Sequence, residues 1–136
     1  MSAKQISVFL ENKPGTLKKL TSVLASHKVN IRALSLADTK DFGIVRMLVS
    51  DSGKAFDALK EAGYMVHTDA VVAAEIGDAP GSLDRLLQEV TDGNINVDYL
   101  YMSYDRRAAT PIAVMKVDSS YEVAECLRSR GYTILE

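Results

Sequence analysis

The sequence has few of the features that form disulfides, bind metals through cysteine or insert a protein into a membrane. Its 136 residues include one cysteine, Cys126, and no tryptophan. A single thiol excludes an intramolecular disulfide and a cysteine-based metal site within one chain. The apolar runs are no longer than a strand, and Met1 to Gln5 lacks the charged-then-apolar layout of a signal peptide. We therefore expect a cytoplasmic protein with no membrane partner.

The chain also lacks an excess of either charge. It carries 16 basic and 18 acidic residues, a net charge of −2, so nucleic acid is not an expected partner. P-loop, G-x-G-x-x-G and H-E-x-x-H motifs are missing, and we expect no cofactor and no metal. No nucleophile lies in a motif beside His27 or His67. His27 is expected to be a polar residue at the end of a helix and His67 a surface histidine.

An internal repeat dominates the sequence. The turn that opens a helix occurs twice, as Pro14-Gly15-Thr16-Leu17 and as Pro80-Gly81-Ser82-Leu83. The start of the following strand also occurs twice, as Val29-Asn30-Ile31 and as Ile95-Asn96-Val97, with the same offset of 66 positions. A repeat of this length indicates two copies of one structural unit.

Each copy predicts the element order βαββαβ. In the first copy, alternating apolar residues predict a strand over 6–10, and helical spacing predicts a helix that opens at Gly15. A strand from Asn30, a hairpin loop over 38–43, a strand over 44–49, a helix over 53–62 and short strands over 65–68 and, in the second copy, 133–135 complete the pattern. This is the ferredoxin-like unit. We predict an α+β protein of two such sandwiches in tandem, with antiparallel sheets and helices on one face; the domains are residues 1–68 and 69–136.

The third strand of each copy is apolar on both faces, although a helix layer covers only one. In the second strands, Leu34 and Leu36 are predicted core positions that match Leu100 and Met102, and Tyr99 and Tyr101 then face the other way. The uncovered face is expected to meet another protein surface, which predicts a homodimer. Residues 1–68 hold 10 basic and 6 acidic residues and residues 69–136 hold 6 and 12, net charges of +4 and −6 that weakly favour docking of the halves.

The Asn-x-Pro-Gly-x-Leu turn, followed about 15 residues later by Asn30-Ile31, resembles the ACT domain family, and its duplication resembles a tandem ACT-domain protein. The resemblance covers essentially the whole chain. It implies a regulatory, amino-acid-binding module without catalysis of its own. In similar domains the ligand lies between the strand-to-helix turn of one unit and the start of the second strand of its neighbour.

The residues themselves suit such a ligand. Gly15 leaves room for close approach to the backbone, and the helix that opens there presents N–H groups and a positive dipole end to a carboxylate. Asn12 offers an amide, and Asn30 can accept from an ammonium group. The resemblance implies as binding residues in the first copy Asn12, Lys13, Pro14, Gly15, Thr16, Leu17, Asn30 and Ile31.

The second copy departs from the first beside its turn. Asp78 replaces Asn12, and a carboxylate there repels a ligand carboxylate but can hold an ammonium group. The two sites are therefore expected to differ. The matching residues are Asp78, Ala79, Pro80, Gly81, Ser82, Leu83, Asn96 and Val97. Apolar neighbours at both turns favour an aliphatic or aromatic amino acid.

Other interpretations stay open at this stage. Pro-Gly is also a common helix start and asparagine a common strand-entry residue, and duplication preserves both. A small ferredoxin-like enzyme, working at an interface through Arg106 and Arg107, is one alternative. An RNA-binding sheet using Tyr99 and Tyr101 is another, although the third strands lack its basic-aromatic signature. A ligand-free oligomerisation module is the last. No fused enzyme domain accompanies the two units, so we expect a separate regulated protein.

Overall fold

The computed structural model describes residues 3–38 and 41–136. Seven strands and four helices follow one another in these residues: β1 (Ala3–Glu11), α1 (Thr16–Ser26), β2 (Ile31–Asp38), β3 (Phe42–Val49), α2 (Ser52–Glu61), β4 (Val66–Glu75), α3 (Ser82–Asp92), β5 (Val97–Asp105), β6 (Thr110–Val117), α4 (Ser120–Ser129) and β7 (Ile134–Leu135). None of these helices has the length and apolar character needed to cross a bilayer. The chain divides into a first unit, residues 4–69, and a second unit, residues 70–136 with Ala3.

In the first unit, β3 lies between β1 and β2 and is antiparallel to both. Alternate residues of β1, namely Ile6, Val8 and Leu10, point to one face, where α1 and α2 cover them. Leu20 and Leu24 of α1 and Leu59 of α2 complete the core of this unit and are fully buried. The predicted period of two in the strand and of 3.6 in the helix is therefore confirmed.

The second unit repeats the arrangement. β6 lies between β4 and β5, antiparallel to both, and β7 pairs with β4 on the other side. Val72, Met115 and Val117 meet Leu86 of α3 and Leu127 of α4 in one apolar cluster. A side-chain ion pair between Arg130 and Glu89 adds a link from the end of α4 to α3, and the hydrogen bond and charge of Glu89 raise the pKa of the Arg130 guanidinium.

Equivalent turns in the two units use residues that differ in how readily they adopt the left-handed backbone conformation. After α1 the chain turns at Lys28, with φ 58°, and after α3 it turns at Asn94, with φ 55°. Both residues adopt the left-handed conformation just before the second strand of their unit. Asparagine visits this region more readily than lysine does. The second unit therefore makes the same turn with less backbone strain.

The prediction that Leu34, Leu36 and Met102 are core residues is wrong. Their side chains point to the helix-covered face, since Leu34 pairs with buried Met47 and Met102 with buried Ala113. They are nevertheless 37, 50 and 42 % exposed. These side chains lie on the outer strands β2 and β5, where the two helices of each unit do not cover them. Of the four predicted core positions, only Leu100 packs partly on the core.

Three other details extend or change the predictions. The short strand expected over 65–68 continues into the second unit, since β4 runs without a break from Val66 to Glu75. In β6 the side chains of both faces are buried, Ile112 and Val114 as well as Met115. The loop expected over 38–43 is shorter, because Asp38 ends β2 and Phe42 begins β3; Thr39 and Lys40 lie outside the described residues.

Burial predicts which of two methionines matters for stability. Met115 is 0 % exposed and Met65 is 63 % exposed. We expect Met115→Ala to lower the free energy of unfolding by about 2–5 kcal/mol, because it opens a cavity in the core. Met65→Ala should change it by less than about 0.5 kcal/mol. Urea unfolding at one protein concentration measures both, and equal losses would contradict this description of the core.

Candidate functional site

The turns that end at Gly15 before α1 and at Gly81 before α3 are called the glycine corners. The first glycine corner leaves the start of α1 without a cap. Gly15 precedes the helix with φ 85°, and no side chain caps the helix. The first intrahelical bond runs from the Lys19 N–H to the Gly15 carbonyl at 3.0 Å. The N–H groups of Leu17 and Lys18 thus lie ahead of the regular ladder and are available to an anion. By contrast, Asp51 caps α2 by accepting from the Lys54 N–H at 3.1 Å.

Hydrogen bonds hold the loop before this helix in place. The Asn12 N–H donates to the Asp41 carbonyl at 3.0 Å. The Thr16 hydroxyl donates to the carbonyls of Glu11 at 2.8 Å and Lys13 at 3.0 Å. The Lys13 ammonium pairs with the Glu11 carboxylate at 2.9 Å, with both side chains exposed. The corner is therefore built by the backbone and Thr16, while the side chain of Asn12 remains exposed to solvent.

The second corner has the same backbone and different side chains. Gly81 precedes α3 with φ 87°, again without a side-chain cap. The Ser82 side chain is buried and accepts a hydrogen bond from the Arg85 guanidinium at 3.3 Å. Asp84 in the first turn of α3 has no counterpart in α1, whose first turn contains no acidic residue. The electrostatic environment of the two corners therefore differs. The sequence predicted such a difference from Asp78 in place of Asn12, and not from Asp84.

Arg85 is a residue that the sequence analysis missed. A Cβ built on Gly81 would lie 3.4 Å from one guanidinium nitrogen of Arg85, so this cation lies beside the corner. Its charge opposes that of Asp78, which precedes the same corner. The signal was present in the spacing, since a side chain four residues after Gly81 on a helix reaches back over its first turn.

The asparagines lie exposed at the entry of the second strands. Asn30 exchanges backbone contacts with Ser50: its N–H donates to the Ser50 hydroxyl and its carbonyl accepts from the Ser50 N–H, both at 2.9 Å. The side-chain amide of Asn96 donates to Asp98 at 3.2 Å. The side-chain carbonyl oxygen of Asn96 takes no part in this hydrogen bond. It is therefore suited to accept one from a ligand. Ile31 and Val97, which follow, pack partly on the two cores.

Within each unit, the corner and the asparagine lie at opposite ends of the sheet. In the first unit, Glu11 pairs with Phe42 at the start of β3, while Ile31 pairs with Val49 at its end. Seven steps along a strand span about 23 Å. In the second unit the corner follows Glu75, which pairs with Ile112, while Val97 pairs with Val117, a span of about 17 Å. No single unit brings both groups to one small ligand.

The residues weighed for catalysis are exposed in the structure. His27 ends α1, as predicted, with Nδ1 2.9 Å from the Val23 carbonyl. His67 is exposed, as predicted, and its ring is nearly perpendicular to that of Phe9, with 6.3 Å between the ring centroids. Arg106 and Arg107 lie in the exposed turn between β5 and β6. Within residues 3–38 and 41–136, no three His, Cys, Asp or Glu side chains are grouped for a metal ion.

The architecture defines a protein with two ferredoxin-like sandwiches in tandem. The profile of the ACT domain pair family matches residues 1–131. The chain therefore belongs to the ACT domain pair family, and this membership confirms the resemblance drawn from the repeated corner. Together with the repeated fold, it supports a ligand-binding regulatory role.

Solved structures share this fold over almost the whole chain. Protein BT0572 from Bacteroides thetaiotaomicron is 34 % identical, covers 99 % of this chain and 92 % of its own, and superimposes with a TM-score of 0.90. The regulatory subunit of aspartate kinase from Thermus thermophilus is 15 % identical over 95 % of this chain and 93 % of its own, with a TM-score of 0.67. That of Thermus flavus is 17 % identical over 93 % and 88 %, with a TM-score of 0.67. No curated protein sequence matches the chain.

The left-handed corner predicts opposite effects of one substitution at two glycines. A Cβ on Gly15 meets no atom within 4 Å, so Gly15→Ala should lower the free energy of unfolding through backbone strain alone, by about 1–2 kcal/mol. Gly53 lies inside α2, where a Cβ makes ordinary contact. Gly53→Ala should raise stability by about 0.5 kcal/mol. Changes of the same sign in urea unfolding would contradict the assigned conformation of the corner.

Proposed function

We propose that this chain is a cytoplasmic amino-acid-binding regulatory protein that has no catalysis of its own and acts on a separate protein. Its functional units are residues 1–68 and 69–136, and ligand lies at the interface between ACT units. One observation carries the proposal: an uncapped helix opens from a left-handed glycine in both units, with φ 85° at Gly15 and 87° at Gly81. Both corners combine an open helix start with a glycine that leaves the backbone accessible, and this combination is the feature we assign to the ligand.

The corner is suited to the carboxylate of an amino acid. The leading N–H groups of α1 and α3 point out of the helix, and the dipole makes this end positive. No Cβ stands at Gly15 or Gly81 to block approach to these groups. In the second unit the Arg85 guanidinium adds a full positive charge beside the corner and offsets Asp78. At the second corner this cation counters the charges of Asp78 and Asp84, so the helix start is the anion-binding feature that both corners share.

The asparagine is suited to the ammonium group of the same ligand. The carbonyl oxygen of the Asn30 or Asn96 side chain accepts from an ammonium donor. Each lies about 17–23 Å along the sheet from the corner of its own unit, too far for one amino acid to span. We therefore propose that each site takes its corner from one ACT unit and its asparagine from another, in the same chain or in a second copy.

The neighbouring side chains favour an aliphatic or aromatic ligand. Leu17 and Ile31 in the first unit, and Leu83 and Val97 in the second, pack on the cores with part of their surface left outside. Such half-buried residues offer apolar contact next to the polar groups that hold the zwitterion. Asn12 and Lys13 in one copy, and Asp78 and Ala79 in the other, then distinguish the affinities of the two sites.

Regulation requires that the ligand binds one state of the assembly more tightly than another. A homodimer is the proposed assembly, because β2 and β5 are outer strands with exposed apolar side chains. The similar Thermus proteins are regulatory subunits of aspartate kinase, which is a precedent for an ACT pair that acts on a separate enzyme. We propose a separate regulated protein for this chain on that basis.

A thermal-shift screen of the common amino acids tests the ligand. An amino acid at 100 times its Kd should add about 2.7 kcal/mol to the stability of the folded state. Asn30→Ala and Asn96→Ala should together remove this shift, since both side chains are exposed and their loss leaves the cores intact. Gln88→Ala, which removes an exposed amide from the middle of α3, is the matched control and should keep the shift.

The outcome against the proposal is equally defined. No shift with any amino acid would refute amino-acid binding, and a full shift in the double asparagine variant would move the site elsewhere. Turnover of any substrate that is lost with Arg107→Ala would instead favour the enzyme interpretation.

Edge substitution tests the dimer. Leu36 is 50 % exposed on the outer strand β2, and a lysine there opposes strand pairing with a second copy. We expect wild type to have twice the mass of one chain in sedimentation equilibrium and Leu36→Lys to have the mass of one chain. Tyr121→Lys replaces an exposed apolar residue on α4 and should remain dimeric. A monomeric wild type would contradict the proposal.

A further inference from the structure

The second unit contains a cavity that no residue of the glycine corners lines. It is a shallow cavity, widely open to solvent at the end of β4, with a volume of about 400 Å³. Its lining comes from three segments: Glu75, Ile76 and Gly77; Ala108 and Thr110; and residues 131–133. This volume falls in the range of small-molecule sites, about 300–1,000 Å³.

The lining combines one carboxylate with hydroxyl and backbone groups that can accept hydrogen bonds. Glu75 is its one acidic side chain, and no basic side chain lines it. Among the described residues, the Glu75 carboxylate has neither an ion-pair partner nor a side-chain hydrogen bond, and it is half-buried. The Thr110 hydroxyl donates its proton to the Ile76 carbonyl, so its oxygen is left as an acceptor. Such a lining suits a cation that donates hydrogen bonds.

Neighbouring positive charge does not fill the cavity. Arg106 and Arg107 precede Ala108 in the turn between β5 and β6, but both are exposed and neither lines the cavity. The Arg107 N–H donates to the Asp105 carboxylate at 3.0 Å, which fixes the turn. Exposed charges of this kind are screened by salt, so the half-buried carboxylate of Glu75 sets the local preference.

The first unit serves as an internal comparison. Phe9 occupies the place of Glu75: it pairs with Ile44 as Glu75 pairs with Ile112. The Phe9 N–H donates to the Met65 carbonyl at 3.2 Å, as the Glu75 N–H donates to the Thr133 carbonyl at 2.9 Å. The fold thus accepts an aromatic residue at this position. A carboxylate in the second unit is not required by the architecture and calls for another explanation.

We propose that this cavity binds a small primary ammonium compound, with the ammonium group held by the Glu75 carboxylate and the oxygens of Thr110 and Thr133. The site is separate from the glycine corners and does not rest on the proposed amino-acid function. A ligand carboxylate is not favoured beside Glu75, because no basic side chain lines the cavity.

Chemical-shift titration of the full chain with n-butylammonium chloride tests the site, with n-butanol as the neutral analogue. Butylammonium should shift the amide signals of Gly77 and Gly131 in a saturable way and leave Gly15 unchanged. Glu75→Gln should weaken binding about tenfold, because the amide keeps a hydrogen-bond acceptor but loses the carboxylate charge. Glu75→Phe, which installs the residue of the first unit, should abolish binding and still fold.

Glu122→Gln is the matched control. Glu122 is an exposed carboxylate on α4 of the same unit, so its loss changes the net charge equally without touching the cavity, and binding should persist. No saturable shift with butylammonium, equal shifts with butanol, or unchanged affinity in Glu75→Gln would each overturn the proposal.

Discussion

Each sheet in this protein depends on the burial of one apolar face beneath two helices. Side chains alternate between the two faces of a strand. This alternation places Ile6, Val8 and Leu10 of β1, and Val72 and Ala74 of β4, on the apolar face. Two helices are narrower than the sheet they cover, so β2 and β5 keep apolar side chains in solvent. The same packing that stabilises each unit thus leaves an outer strand for other contacts.

The position of the glycine corners follows from that packing. A helix that must return over the sheet begins directly after the strand ends, and the tight turn between them is made by Gly15 or Gly81 in the left-handed conformation. The open helix start lies at one end of the sheet, and the asparagine before the second strand lies at the other. In each unit these two groups are therefore too far apart to meet one small ligand.

Much of this could be predicted from the sequence, because repeat and periodicity are local signals. The element order and the glycine corners followed from residue type and spacing. The exposure of Leu36 could not be predicted this way, since alternation tells which face a side chain points to and not how far the helices extend over it. Arg85 was missed, although its spacing of four residues from Gly81 predicts that it reaches back over the first turn of α3. The cavity beside Glu75 depends on three segments distant in sequence.

Because of the duplication, each half of this chain can be compared with the other as with a homologue. Lys28 and Asn94 make the same left-handed turn with residues of unequal tolerance, so the two copies have diverged in conformational strain as well as in charge. Changes of charge and of conformational strain have thus accumulated separately in the two halves, without any change of fold.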